Sequence, residues 1–308
     1  MIKDFIITLQ KENTILMSNR VKGFLLIILG TTFWGATGVV MQYLLHEKMF
    51  NTAWLTCVRL ICAGIILLAV DKLIYHGKTL SIWQGKSVRD IIIFSMFCML
   101  GTQFTFISTI LYSNAATATI LQYLMPIVIL IYILITEKRK PMFRELLCIL
   151  MAITGTFLLA TKGSLHTLAI SREALFLGLI SAFASALYTL QPRNMLKTYR
   201  SSLVVGWGMF FGGFLLAFFQ SPFDFSGIFD LKAAVALLFV IVCGTVISFW
   251  AYIESTKYLY PTEVGSLASI EPFSSVLLSV LFMHVVFGLP EIIGSILIVS
   301  TIFILTRR

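Results

Sequence analysis

Charged residues are scarce in this chain. Asp, Glu, Lys and Arg together make up 12% of its 308 residues, whereas hydrophobic residues make up 58%. A soluble domain normally carries about twice that charged fraction, roughly 25%. So few charges cannot cover a water-exposed surface for a chain of this size. The composition therefore excludes a water-soluble protein and indicates an integral membrane protein that is solvated by lipid.

Metal-binding and catalytic patterns are also lacking. The cysteines lie in apolar stretches without a C-x-x-C pair, and the histidines lie far apart, which indicates neither a disulfide framework nor a zinc site. H-E-x-x-H, G-x-S-x-G and glycine-rich phosphate-binding motifs are absent, so an enzyme and an ATP-driven pump are not indicated. We expect no cofactor and no bound metal. The residues concerned are Cys57, Cys62, Cys98, Cys148, Cys243, His46, His76, His166 and His284.

Long apolar stretches dominate what is present. A membrane-spanning helix needs about 20 apolar residues, and ten stretches of that kind follow one another along the chain. No gap between them is long enough to hold a soluble domain, so any function must reside in the helices. The predicted spans are 23–45, 52–74, 90–111, 113–136, 143–161, 173–196, 201–220, 231–255, 262–283 and 286–306.

Positive charge is unevenly distributed between the gaps. The net charge is +9, but the basic residues are scattered and form no face that could lie on nucleic-acid phosphates. They collect instead in alternate gaps, and the opposite gaps hold only Lys48, Lys162, Arg172 and Lys232. Because cytoplasmic loops carry the excess of Lys and Arg, we expect both termini in the cytoplasm and an even number of spans.

Residues 1–22 precede the first predicted span and leave two interpretations open. Ile2, Phe5, Ile6 and Leu9 lie at helical spacing, which would suit a short amphipathic helix on the membrane surface. Alternatively, Met17 is the functional start, since the first span follows it closely. The first apolar stretch is long and has no small-residue cleavage site, so we do not expect a cleaved signal peptide.

The two halves of the chain share a register. Shifting the sequence by 146 residues places Pro126 on Pro272 and Glu145 on Glu291, whereas matches of Leu or Phe would be common in apolar sequence. Five spans in each half is an odd number, so the second half enters the membrane from the opposite side. The sequence predicts an all-α integral membrane protein with ten transmembrane helices in a five-plus-five inverted-topology repeat, as in many secondary transporters. The predicted repeats cover residues 23–161 and 173–306.

Four stretches read GTTFWGATGVV, CVRLICAGIILL, ATATILQYLMPIVILI and YLYPTEVGSLASIEPFSSVLLSVLF. With them, the chain resembles EamA-type members of the drug/metabolite transporter superfamily from about residue 23 to 306. The resemblance implies a bacterial inner-membrane carrier whose cavity is lined mainly by spans one, three, four, six, eight and nine. Substrates of the family include amino acids and other small metabolites, which are often exported. Here Met125 precedes Pro126 but Glu271 precedes Pro272, so charge-based recognition would rest on one half.

Glu271 is the only acidic residue near the middle of a predicted span. A carboxylate is costly in hydrocarbon. It could contact a substrate amine, couple transport to protons, or remain protonated and bond to a neighbouring helix. Arg59 lies in the outer third of span two, from where its side chain could extend outward to water. Turned inward, it could pair with Glu271 or with a substrate carboxylate.

Other candidates are aromatic, amide or small polar residues within predicted spans. Aromatic side chains there often only pack, and buried amides often only bond between helices, so packing and binding both stay open. Carbonyls freed by the two prolines must face protein or a water-filled cavity. The binding candidates are Trp34, Gln103, Gln122, Tyr123, Tyr188, Gln191, Trp250 and Ser269, and the helix-break or hinge candidates are Pro126 and Pro272.

The sequence thus favours a secondary transporter that moves a small organic metabolite, such as an amino acid, by alternating access. Export is favoured over import, and facilitated and proton-coupled transport both stay open. The alternatives are a membrane receptor or scaffold, which needs no unequal polar residues at the midplane, and a membrane-embedded enzyme, which should cluster catalytic groups near one interface. The expected partners are the substrate, the bilayer and, if transport is coupled, a proton. Monomer and homo-oligomer both stay open.

Overall fold

The computed structural model describes residues 2–164, 167–255, 257–259 and 261–306. The side chains of residues 2–18, 253, 261, 262, 265, 266 and 306 lie outside the description, and with them the predicted apolar face of residues 2–9 and Met17. No strand occurs in the described parts of the chain. The α-helices are α1 (Ile2–His46), α2 (Thr52–Tyr75), α3 (Ser87–Ile93), α4 (Gly101–Tyr112), α5 (Ala115–Gln122), α6 (Met125–Thr136), α7 (Phe143–Thr161), α8 (Arg172–Leu190), α9 (Ser201–Ala217), α10 (Leu231–Ile241), α11 (Ser248–Ser255), α12 (Pro261–Ala268), α13 (Ile270–Met283) and α14 (Leu289–Thr306).

Helices that could cross a membrane make up most of the chain. Seven described segments are long and apolar enough to do so: Asn19–His46, Thr52–Tyr75, Ser87–Tyr112, Ala115–Thr136, Phe143–Thr161, Arg172–Arg193 and Leu231–Tyr252. Three shorter apolar helices are Ser201–Ala217, Ile270–Met283 and Leu289–Leu305. Large apolar side chains cover the outside of the bundle, with Phe143, Phe219 and Phe223 81–95% exposed. The protein is therefore an all-helical, multi-pass membrane protein, as its composition predicts.

Side-chain caps explain where several helices begin. Asn51, Asn114, Ser171 and Asp230 each accept a hydrogen bond from a backbone N–H two or three residues later. These bonds satisfy donors that the first turn of a helix leaves unpaired. Only Ser113 and Asn114 separate α4 from α5. α4 and α5 are therefore joined by a tight turn.

Two of the predicted spans are each broken into two helices. The fourth consists of α5 and α6, and the ninth of α12 and α13. Pro126 is the second residue of α6, and Pro272 is the third of α13. Proline has no N–H, and its ring clashes with the carbonyl four residues earlier, so a helix is interrupted just before it. The last residues before the breaks, Gln122 and Ala268, are 146 positions apart, as are the two prolines.

Each half also contains a π-helical stretch. Phe94–Leu100 joins α3 to α4, and Val242–Ile247 joins α10 to α11. These stretches lie in the third span of the first half and the third span of the second half. A π-helical turn makes a local bulge in a helix and is frequent at functional sites. The two halves thus deviate from regular α-helix in the same pair of spans, the third and the fourth.

The helices pack in pairs that join the two halves. α2 lies along α9, and α7 lies along α14. Glycines bring the second pair together: a Cβ added to Gly155 would lie 2.7 Å from the carbonyl oxygen of Gly294, and a Cβ added to Gly294 would lie 2.6 Å from that of Gly155. α1 contacts α11 and α13, while α8 contacts α4 and α5. The interior beside α1 and α8 is where the broken helices meet.

Candidate functional site

The two helix breaks are joined by a hydrogen bond from Tyr123. This residue follows α5, and its hydroxyl donates to the carbonyl oxygen of Ala268, the last residue of α12, at 2.7 Å. In an unbroken helix the Ala268 carbonyl would accept the N–H of residue 272, but Pro272 has none. Tyr123 supplies the missing donor. The carbonyl freed by proline in one half is therefore satisfied by a side chain at the equivalent break of the other.

Glu271 lies at the same point. Its Oε2 is 3.0 Å from the Tyr123 hydroxyl oxygen, and its side chain is partly exposed within the bundle. A tyrosine hydroxyl has one proton and a carbonyl can only accept. When the proton points to Ala268, the Tyr123 oxygen can accept a proton from a neutral Glu271. When Glu271 is ionised, it competes with Ala268 for the Tyr123 proton, so the hydrogen bonding of this pair depends on the protonation state of Glu271.

Close helix contacts hold Glu271 in place. A Cβ added to Gly35 of α1 would lie 2.6 Å from the backbone oxygen of Glu271. One turn further, the hydroxyls of Thr119 and Ser275 are 3.2 Å apart, which joins α5 to α13. Ser269, between α12 and α13, is 7% exposed. Small residues thus let α1, α5 and α13 approach closely around the carboxyl group.

Arg59 turns inward from α2 and is 5% exposed. Its Nε donates to the Thr245 hydroxyl at 3.0 Å, and its Nη1 donates to Oε1 of Gln103 at 2.8 Å. The alternative that the side chain extends outward to water is wrong, because the interior offers these oxygen acceptors. Among the described residues no carboxylate lies within ion-pair distance of Arg59, so the expected pair with Glu271 does not form here.

The aromatic candidates divide into inner and outer residues. Trp34 on α1 is partly buried and lies 5.1 Å, between ring centroids, from both Phe249 and Tyr252. Tyr188 stacks on Phe94, at the start of the first π-helical stretch, with centroids 5.4 Å apart. Trp250 is 45% exposed. The structure therefore packs Trp34 and Tyr188 against other aromatic rings, whereas Trp250 is among the exposed side chains.

The two remaining amide candidates bond between helices. Nε2 of Gln122 donates to the Ser181 hydroxyl at 2.8 Å, which ties the first break to α8. Nε2 of Gln191 donates to the carbonyl oxygen of Asp90 at 2.8 Å, in a 3₁₀ turn beyond the end of α8. Gln122 thus belongs to the interior group with Tyr123, whereas Gln191 lies at the end of its span and apart from that group.

Some polar groups of the interior are not apparent from the sequence. Asp71 is 0% exposed near the end of α2, where it accepts hydrogen bonds from Arg200 at 3.0 Å and Ser202 at 2.7 Å. In the sequence, charged residues near the ends of predicted spans indicate membrane orientation. That interpretation gives no sign that Asp71 pairs with Arg200. The matched Glu145 and Glu291 each accept a backbone N–H from three residues earlier and so start α7 and α14. This capping pattern could have been recognised from the sequence.

No group of three or more His, Cys, Asp or Glu that could hold a metal ion occurs among the described residues. The cysteines are free. Around the helix breaks and Arg59, the described interior offers hydrogen bonds, the carboxyl group of Glu271 and the guanidinium group of Arg59. Those groups can bind a small polar solute or exchange a proton.

The chain is similar to known membrane transporters. The EamA-like transporter family model matches residues 21–161 and again residues 172–307. The chain is 36% identical over 296 residues to the inner membrane transporter YicL of Salmonella typhimurium, covering 94% of this chain and 97% of that protein. It is 28% identical over 216 residues to a transporter encoded in the sor 3′ region of Acidianus ambivalens, covering 70% of this chain and 77% of that protein.

A solved crystal structure of a protein has the same fold at 17% identity, with a TM-score of 0.62 over 94% of this chain and 97% of that one. At this identity the likeness concerns the fold alone. The family model, by contrast, matches most of the chain in two successive segments, and the Salmonella relative is aligned over nearly its whole length. The chain therefore belongs to the EamA-like transporter family.

Proposed function

We propose that this protein is a secondary transporter that exports a small organic metabolite, such as an amino acid, by alternating access. In this proposal the seven long apolar segments and the three shorter ones all cross the membrane. They form two five-helix repeats, 23–161 and 173–306, of opposite orientation. The substrate passes through the interior between them, where Tyr123 and Glu271 lie.

Three features of the fold support the inverted repeat. The helix breaks fall at matched positions of the two halves, and a π-helical stretch occurs in the third span of each. The inter-half packing also has a two-fold pattern, because α1 contacts α11 and α13 as α8 contacts α4 and α6. The family model matches the chain twice, once in each half. A repeat with an odd number of spans accounts for all of these observations.

The observation that carries the proposal is the meeting of the two broken helices at Tyr123. Its bond to Ala268 connects the break of one half to that of the other. Substrate sites of secondary transporters lie near the midplane at the repeat interface, where helices are discontinuous. Ionisable residues at such depth are rare and mark substrate or proton pathways. Glu271, 3.0 Å from Tyr123 at the break of α12 and α13, is the ionisable residue to which the proposal assigns that role.

Two other functions would place polar groups differently. A membrane-embedded enzyme should cluster an acid, a base or metal ligands near one membrane interface, whereas Glu271 and Tyr123 meet at breaks within two of the predicted spans. A receptor or scaffold has no need for a carboxyl group at a helix break. Transport fits the interior better than either. Facilitated transport and proton coupling differ only in whether Glu271 releases its proton during the cycle.

Solute flux in reconstituted vesicles tests the proposal. Purified protein is placed in lipid vesicles and offered a radiolabelled panel of amino acids, nucleosides and sugars, with protein-free vesicles as the control. We expect at least one amino acid or similar metabolite to cross faster than in the control vesicles. Rates equal to the control for the whole panel would contradict a transport function for these substrate classes.

A further inference from the structure

The guanidinium group of Arg59 is held by contacts of its Nε and Nη1 with three different elements. Its Nε donates to the Thr245 hydroxyl, whose own proton goes to the Val240 carbonyl at 2.9 Å. Its Nη1 donates to Oε1 of Gln103 and lies 3.6 Å from the Met41 sulfur. These contacts fix the plane of the group between α1, α4 and the second π-helical stretch. Arg59 is therefore an oriented cation rather than a flexible one.

The positive charge of Arg59 has no anionic partner among the described residues. Glu271 contacts Tyr123 and Asp71 pairs with Arg200, so the carboxylates on nearby helices are already engaged. A buried charge without a counter-ion costs several kcal/mol in a protein interior. The oxygen acceptors of Thr245 and Gln103 reduce that cost without neutralising the charge. The site is electrostatically incomplete until an anion enters it.

The two side-chain nitrogens of Arg59 and Gln103 that have no hydrogen-bond partner at this site among the described residues are both donors. Nη2 of Arg59 has no hydrogen bond within the described chain, and it is not among that chain's fully buried unpartnered atoms. The same holds for Nε2 of Gln103, whose Oε1 is occupied by Arg59. Both nitrogens therefore keep a small accessible surface, although Arg59 as a whole is only 5% exposed. Two adjacent donors, one of them charged, match the two oxygens of a carboxylate.

We infer that Arg59 and Gln103 bind the carboxylate of the transported solute. The inference rests on the proposed function and adds the substrate class: amino acids or other small organic acids, and not organic cations or neutral sugars. Arg59 then has the role of substrate recognition in the first half of the chain, while Glu271 remains in the second half. The two unequal halves thus contribute different groups to the same transport cycle: the first contributes Arg59, and the second contributes Glu271.

Binding measurements separate this inference from transport. The unfolding midpoint of the purified protein is measured in detergent with a panel of L-amino acids and short-chain carboxylates, each paired with its amide. Acid and amide have nearly the same shape, so only the charge and one acceptor oxygen differ. We expect at least one acid to raise the midpoint, because a ligand that binds only the folded state stabilises it, while its amide has no effect.

Variants then assign the binding to Arg59. Arg59→Met should weaken binding of that acid by about 10- to 100-fold, the usual worth of a hydrogen bond to a charged group. Arg59→Lys should retain part of the affinity, since it keeps the charge but loses the planar fork. Arg144→Met removes an arginine from the exposed start of α7 and serves as the matched control, with unchanged affinity expected. If Arg59→Met fails to fold, the comparison of acid with amide on the wild-type protein decides.

The outcomes distinguish the two proposals. Equal stabilisation by acid and amide, unchanged affinity in Arg59→Met, or no stabilisation by any acid of the panel overturns the carboxylate site. Flux of sugars or cations without acid binding overturns it as well and leaves the transport function standing. An acid that binds through Arg59 but never crosses the vesicle membrane would instead support the site and overturn the transport function.

Discussion

The hydroxyl oxygen of Tyr123 lies 2.7 Å from the carbonyl oxygen of Ala268 and 3.0 Å from Oε2 of Glu271. Tyr123 stands at the break of the fourth span, and Ala268 and Glu271 flank that of the ninth. One phenol group therefore compensates the backbone group freed by Pro272 and at the same time contacts the carboxyl group of Glu271. The proton of the Tyr123 hydroxyl therefore links the stability of the backbone at the helix break to the hydrogen bonding of Glu271.

Removing that hydroxyl should destabilise the protein. Tyr123→Phe leaves the Ala268 carbonyl without its donor in the interior, and an unsatisfied buried acceptor costs about 1–3 kcal/mol. We expect a lower unfolding midpoint in detergent. Tyr132→Phe is the matched control, because Tyr132 is 53% exposed on α6, and its midpoint should equal that of the wild type. Equal midpoints for both variants would mean that the Tyr123–Ala268 bond contributes nothing to stability.

The contact between α7 and α14 depends on two glycines. In Gly155→Ala the new Cβ would lie 2.7 Å from the carbonyl oxygen of Gly294, so the helices must separate, at a cost of about 1–3 kcal/mol. Gly101→Ala is the control, because its Cβ would meet only Ala184 at 3.6 Å. Alanine also favours a helix over glycine. The thermal unfolding midpoint should fall for Gly155→Ala and stay unchanged for Gly101→Ala. A lower midpoint for both variants would point to a general intolerance of alanine.

The Lys48–Asp230 pair links the loop after α1 to the start of α10 at 2.6 Å. Its hydrogen bond holds the pKa of Asp230 below the usual value and raises that of Lys48. Because the pKa of Asp230 is lowered in the folded protein, its pairing with Lys48 stabilises the fold at pH values above the unfolded pKa of Asp, about 3.9. This stabilisation is lost as the pH falls through the folded pKa. Because the pKa of Lys48 is raised in the folded protein, the pair stabilises the fold at pH values below the unfolded pKa of Lys, about 10.4. This stabilisation is lost as the pH rises through the folded pKa.

Asp230→Asn tests that pH dependence, since asparagine can still cap the Ala233 N–H but cannot pair with Lys48. We expect the variant to have a slightly lower unfolding midpoint than the wild type near pH 7. The difference should shrink as the pH is lowered toward 3. A difference that stays constant between pH 3 and pH 7 would show that the ion pair is not its cause.

Membrane orientation can be tested by labelling single cysteines in a background without the native ones, of which Cys57, Cys98 and Cys148 are buried. The charge distribution predicts that positions 138–140 react with an impermeant reagent from the cytoplasm. Positions 164–168 should react from outside, although 165 and 166 lie beyond the described residues. Both loops reacting from the same side would contradict an inverted five-plus-five arrangement.

Features set by local sequence could be predicted from the chain itself. The α4–α5 turn follows from Ser113 and Asn114, because a short polar pair between apolar stretches leaves room only for a hairpin. The two helix breaks follow from Pro126 and Pro272, because the missing N–H acts within one turn. The shared register of the halves was visible in the same prolines.

Features that depend on the rotation of a helix could not be predicted. α2 is apolar on nearly every face, so its sequence does not show whether Arg59 points inward or outward. The bond between Tyr123 and Ala268 joins residues 145 positions apart, and only the packing of α5 against α13 brings them together. Burial of Asp71 likewise requires Arg200 from the other half.

The account as a whole rests on solute crossing the membrane past Glu271. Glu271→Gln keeps the shape and the hydrogen-bonding capacity of the side chain but removes its titration. If Glu271 couples transport to protons, the variant should stay folded and lose the dependence of net flux on a pH gradient. If it binds a substrate amine directly, the variant should bind more weakly even without a gradient, and a purely structural Glu271 would change neither property.

The most direct measurement is net flux of a transported solute into vesicles with and without an imposed pH gradient, for wild type and Glu271→Gln side by side. We predict that the solute enters wild-type vesicles faster than protein-free vesicles. If Glu271 couples transport to protons, wild-type vesicles also accumulate the solute when the gradient is applied, whereas Glu271→Gln vesicles do not respond to it although the protein is present at equal amount. Wild-type flux that ignores the gradient would remove proton coupling, and wild-type flux no faster than in protein-free vesicles would contradict the account.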